Sequence, residues 1–165
     1  MPSVLDERDQ RSAATFTYLL QIMEENGNDI DEMKLIYGKA AGLLPKEADF
    51  DYLIGTYLAA DRDYAEGVLY LERALDKLQR YGSNNRAMLI GSHLRETYEN
   101  LALCCRKTGK DERAVSLCIA VLKSAPYSME ALYLLLEHSG EMISARPWLL
   151  KKPWVYWNSS TVLIR

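Results

Sequence analysis

Apolar residues return at three- and four-residue intervals along most of the chain, as in Leu94, Tyr98, Leu101 and Cys105, the spacing that lines one face of an α-helix. Strict alternation, the mark of a half-buried strand, is nearly absent before residue 154. The helical pattern is interrupted at Asn26-Gly27-Asn28, at Leu44-Pro45, around Ala60 to Asp63, over residues 81–85, at Thr108-Gly109, at Ala125-Pro126 and at Ser139-Gly140. Gly, Pro, Asn and Asp end helices or open new ones. The breaks predict an all-α protein with helices at residues 9–26, 30–43, 47–61, 64–80, 84–108, 111–124 and 127–140.

The pattern also recurs on a longer scale. A shift of 34 residues superimposes Leu20 on Ile54, Ile30 on Tyr64, Tyr37 on Leu71 and Ala40 on Ala74. A further shift of 47 carries the same frame to Leu101, Cys118 and Val121, and sets Ala102 and Ala114 in the places of Gly55 and Gly67. Pro45 and Pro126 follow the first and last of these units. Paired small residues are expected where the two helices of a hairpin cross, because only Gly, Ala or Ser lets backbones approach to the roughly 8 Å lower end of helix packing. The second step is 13 residues longer than the first, and the excess is expected in longer helices around the turn over 81–85.

The run "ENLALCCRKTGKDERAVSLCIAVLKSAP" over 99–126 carries the clearest unit, with Tyr98, Leu101, Ala102, Gly109, Ala114 and Pro126 as its large, small, turn and closing residues. In this it resembles the tetratricopeptide repeat, whose period is about 34 residues. The resemblance covers residues 10–140, with a second unit over Asp51 to Asp76 and a degenerate first one. It implies a right-handed α-α superhelix of three helical hairpins over 1–140, the last helix acting as a cap, followed by an irregular tail over 141–165. It further implies a concave groove lined by the first helix of each hairpin. The groove positions carried over are Tyr18, Ile22 and Asn26, then Asp49, Tyr52, Thr56 and Ala60, then Glu96, Glu99, Leu103, Arg106 and Lys107. Tyr18 and Tyr52 share one such position. Each is either a contact for a partner or a half-buried packing residue. The Lys and Asn clamp with which some members grip a chaperone's C-terminal carboxylate is missing from these places.

Composition narrows the function further. The N-terminal MPSVLDERDQR leads into no apolar leader, and no run approaches the roughly 18 apolar residues of a membrane helix, so a cytoplasmic protein without a membrane partner is expected. Net charge is −3, divided as −8 over residues 1–66 and +5 over the remainder; the asymmetry either steers a charged partner or reflects solvated helix faces. A sequence pI near 5.5 argues against nucleic acid.

Candidate chemistry is sparse. Cys105 and Cys118 fall at core positions, where a free cysteine behaves as a small hydrophobe. The only histidines are His93 and His138, and no ligand spacing accompanies them, so neither metal nor other cofactor is expected. Thr108-Gly109-Lys110 lacks the flanking residues of a phosphate loop and reads as the turn of a hairpin. No nucleophile, base and orienting group can be assembled, and pairs such as Glu24-Glu25 splay across a helix, so the chain reads as no enzyme.

The expected function is a protein–protein interaction scaffold or adaptor that holds a peptide or helix in the groove. Two alternatives stand beside it: an accessory module of a larger enzyme such as a family 2 glycosyltransferase, whose repeats "DYAEGVLYLERAL" resembles, and a small secretion-type chaperone. The tail holds all three tryptophans, Trp148, Trp154 and Trp157, and its Pro147 and Pro153 forbid a continuous helix. So apolar a segment either folds back over the last hairpin or meets another chain, including a second copy of this one.

Overall fold

The structure, a computed structural model, describes residues 4–81 and 88–138. Among the described residues every element is a helix: α1 (Val4–Glu25), α2 (Ile30–Leu43), α3 (Asp49–Ala60), α4 (Tyr64–Tyr81), α5 (Met88–Ser92), α6 (Leu94–Lys107), α7 (Asp111–Ser124) and α8 (Met129–His138). The described part of the protein is therefore all-α, as the apolar period predicts. The turn expected after Tyr81, the boundary at residue 140 and the tail over 141–165 lie outside the described residues.

The first helix starts five residues earlier than expected, since neither Gly nor Pro interrupts the chain between Ser3 and Asn26. The single helix expected over 84–108 is instead two, α5 and α6, parted at His93. At the break Leu89 C=O accepts from His93 N–H (3.1 Å) and from Ser92 Oγ (2.9 Å), and the start of α5 is held by a bond across the fold. The Asp49 carboxylate, buried at the start of α3, accepts hydrogen bonds from the backbone N–H groups of Leu89 (3.1 Å) and Ile90 (2.9 Å), while Ile90 is wholly buried. Asp49 thus acts as a remote cap that binds α5 to α3, and the chain turns at His93 (φ −112°, ψ 25°) before resuming as α6.

The turns that close α1–α2, α3–α4 and α6–α7 are built alike. Asn28 N–H donates to Met23 C=O and Gly27 N–H to Glu24 C=O; Asp63 pairs with Leu58 and Arg62 with Ala59; Lys110 pairs with Cys105 and Gly109 with Arg106. This pair of bonds is the Schellman closure, which requires a left-handed residue just past the helix. Gly27 (φ 66°), Arg62 (φ 70°) and Gly109 (φ 76°) fill that place. The ends of α2 and α7 also match, with Leu44 (φ −131°, ψ 68°) and Ala125 (φ −134°, ψ 78°) outside the helical region ahead of Pro45 and Pro126. Proline's ring clashes with a helical residue before it, so both helices stop there.

Helices pack in consecutive pairs, α1 with α2, α3 with α4 and α6 with α7. The first members, α1, α3 and α6, touch one another in that order and α6 meets α8, while α2, α4 and α7 each lie against the helix that opens the next unit. Most positions matched by the sequence shifts sit inside: Leu20, Ile54 and Leu101 are fully buried, as are Ala40 and Ala74, with Val121 nearly so, whereas Ile30, Tyr37 and Tyr64 are only partly buried. At the α3–α4 crossing, a Cβ built on Gly67 would lie 3.6 Å from Gly55 O and 3.3 Å from Cys104 Sγ, and one on Gly55 would meet Leu71 Cγ at 2.8 Å. The glycines therefore allow two helices to touch and bring α6 against their elbow.

One buried charge ties α2, α3 and α4 together. Asp51 on α3 is fully buried and accepts from Tyr37 Oη (2.9 Å) and from Lys77 Nζ, with Arg73 Nη1 at 3.5 Å. Lys77 supplies most of the neutralising charge because Arg73 is half exposed. A carboxylate this deep is tolerated only when its oxygens are occupied in this way.

Candidate functional site

The groove positions divide by depth. Tyr18 on α1 stands open, 66% exposed, whereas Tyr52, at the matching place on α3, is 6% exposed and belongs to the core. The difference follows from position in the stack. Both α1 and α6 pack against α3, and the Tyr52 ring lies 6.1 Å from that of His93. On α1, Ile22 is partly buried and Asn26 is exposed just past the helix end.

Around Tyr52 the structure gathers polar groups from three elements. Burial pushes its hydroxyl well above the ordinary tyrosine range, and the charges of Glu96 on α6, Glu24 on α1 and Asp49 add to the shift. The Thr56 hydroxyl, buried beside it, opposes the rise, although none of the contacts of its Oγ1 meets full hydrogen-bond geometry. Glu24 is partly buried, and both influences on its carboxyl, desolvation first and the neighbouring Glu25 second, raise its pKa. Glu24 and His93 are the members that the groove positions read from the sequence leave out. An acidic residue two places from Ile22 carries no local sign that α3 will desolvate it.

Three other predicted positions serve the fold. Asp49 holds α5, as described. Glu99 on α6 is buried, and its Oε1 accepts from Ser128 Oγ (2.7 Å), which in turn accepts from Ala131 N–H (3.1 Å) and so caps α8. Burial raises the Glu99 carboxyl pKa while the Ser128 hydrogen bond and the Arg95 charge oppose the rise. Because Ser128 caps, α8 begins at Met129 instead of at Tyr127. Arg106 is paired with Asp111 across the α6–α7 turn and donates from Nη2 to Glu137 C=O (3.2 Å).

The remaining positions are Lys107, exposed and 3.7 Å from Glu137 Oε1, Leu103, packed partly buried against the core, and Ala60, exposed at the end of α3.

The three cysteines are buried and free. Burial lifts the Cys104 thiol to about 12 and that of Cys118 to about 11, so neither is a thiolate near neutrality. Among the described residues no three His, Cys, Asp or Glu side chains gather as metal ligands, and no helix is long and apolar enough to cross a membrane. A cleft of about 570 Å³ opens between α4, α6 and α7, with Leu75, Leu78, Tyr98 and Leu117 in its lining and Glu72 facing Arg113 at 3.9 Å. None of the residues of the Tyr52 cluster lines it. Comparison with protein-family models, curated proteins and solved structures finds no match to the chain.

Proposed function

We propose that this chain is an interaction module of tetratricopeptide-like helical hairpins, wound as a right-handed superhelix, which holds a protein or peptide partner against the layer formed by α1, α3 and α6. The observation that carries the reading is the contact order: the first helices of three hairpins touch in sequence, and all three hairpins are closed by the same pair of backbone bonds. A row of helices in register offers one continuous surface, the usual binding face of stacked repeats.

The side chains on that layer suggest the partner's chemistry. Tyr18 offers a large exposed ring with few torsions to immobilise. Glu24 and Glu96 turn negative charge toward the Tyr52 cluster. A segment bearing Lys or Arg fits these groups, whereas an acidic tail would be repelled.

Affinity purification from the native host, repeated with Tyr18→Ala, tests the assignment. An exposed aromatic that anchors a partner contributes about 1–2 kcal/mol, so capture should fall roughly tenfold. The melting temperature should hardly move, because the ring contributes little to the core. Undiminished capture by Tyr18→Ala and by Glu96→Gln would overturn the proposal.

A further inference from the structure

The last described helix has two faces. Ala131 and Leu134 of α8 are buried against α6 and α7, with Leu135 partly so. On the other side Met129 is 61% exposed and Leu132 37%, and Tyr127, just ahead of the helix, is 91% exposed. Stacked-hairpin proteins finish with a polar outer face, because a terminal helix has no next neighbour to cover it. Here that face is apolar, and contiguous apolar surface of this kind marks a contact.

We infer that this face of α8 is the seat of the chain's own C-terminal segment, residues 139–165. Three observations favour that occupant. The segment follows α8 directly, and its 27 residues, at roughly 3.3 Å each when extended, far exceed the length of a ten-residue helix. Its composition matches the surface, since Trp148, Trp154 and Trp157 are the chain's only tryptophans and aliphatic residues surround them. The third observation is polar. Glu137 faces Lys107 through Oε1, but its Oε2 is buried with no hydrogen-bond partner among the described residues. A buried carboxylate oxygen without a donor is costly, and the segment brings indole N–H groups together with Lys151 and Lys152. Apolar cover and a hydrogen-bond donor are thus both supplied by the residues next in the chain.

Because all three tryptophans lie in this segment, tryptophan emission from the whole chain, excited beyond the tyrosine band, reads it alone. Docking gives blue-shifted emission that iodide quenches weakly. Met129→Glu combined with Leu132→Glu should shift emission to that of tryptophan in water and raise iodide quenching several-fold, with far-UV circular dichroism unchanged. Leu69→Glu, at an exposed leucine of α4, should leave the spectrum as it is. Water-like emission in the wild type, or blue emission that survives the double substitution, would overturn the inference. So would a blue shift that disappears on dilution, which would make the occupant a second copy.

If the double variant loses helicity, the photo-crosslinker benzoylphenylalanine at position 132 decides the matter. Crosslinks within one chain to residues 139–165 are expected, and crosslinks elsewhere or between chains would refute the docking.

Discussion

Glu24 shows how a residue's chemistry is set by neighbours remote in sequence. Its carboxyl is pushed up by burial and by Glu25, so the folded chain holds that proton to higher pH than the unfolded chain. The ionised form therefore costs stability above the folded-state pKa, and the cost vanishes as pH falls through it. Glu24→Gln should accordingly melt higher than the wild type near neutrality, and the gap should close as the solution is acidified through the upper carboxylate range. A gap that stays constant with pH would mean that Glu24 is solvated. The sequence separates Glu24 from Glu25 by helical geometry, and the structure agrees in leaving Glu25 exposed and Glu24 partly buried. It does not reveal which of the two faces α3. Tyr18 and Tyr52 teach the same lesson: they occupy one register position, yet only the helix with neighbours on both sides buries its tyrosine.

At the scale of the element, crossings and turns carry the information. A Cβ on Gly55 would come within 3.0 Å of Leu71 N, a backbone atom that cannot rotate away. Gly55→Ala should therefore lower stability by about 1–3 kcal/mol despite the gain in helix propensity. Gly38→Ala on α2, where the new Cβ meets nothing within 4 Å, should raise it by about 1 kcal/mol. Chemical denaturation of the pair measures both, and equal signs would contradict the close crossing.

Arg62 occupies the left-handed place that glycine fills in the other two turns, so Arg62→Gly should stabilise by about 0.5–1 kcal/mol, the strain relieved less the added freedom of the unfolded chain. The same denaturation measurement would show no gain if that turn were relaxed. Gly27 and Gly109 announce their turns in the sequence. Arg62 does not, and that break is legible only from the aspartates around it. The anchoring of α5 is not legible at all, because Asp49, which accepts from its first N–H groups, lies some forty residues away.

For the whole molecule, the apolar period and the punctuation by Gly and Pro were enough to give the fold class and most helix limits. The coincident positions at shifts of 34 and 47 residues mark much of what is buried, though Ile30, Tyr37 and Tyr64 stay partly open, and the cores of successive hairpins run into one another through Leu75. The candidate surface was legible only in outline. Asp49, Glu99 and Arg106 lie on the expected helices, but their charged groups are engaged in holding α5, α8 and the α6–α7 turn. A sequence register gives the face of a helix, and the depth of each residue on that face depends on what packs across it.

The central claim is that a partner is held by the first-helix layer. Amide hydrogen exchange, recorded for the full chain alone and with the partner recovered by affinity purification, tests it most directly. The account predicts added protection in α1, α3 and α6. Protection confined to α2, α4 and α7, or centred on the cleft between α4 and α7, would contradict it.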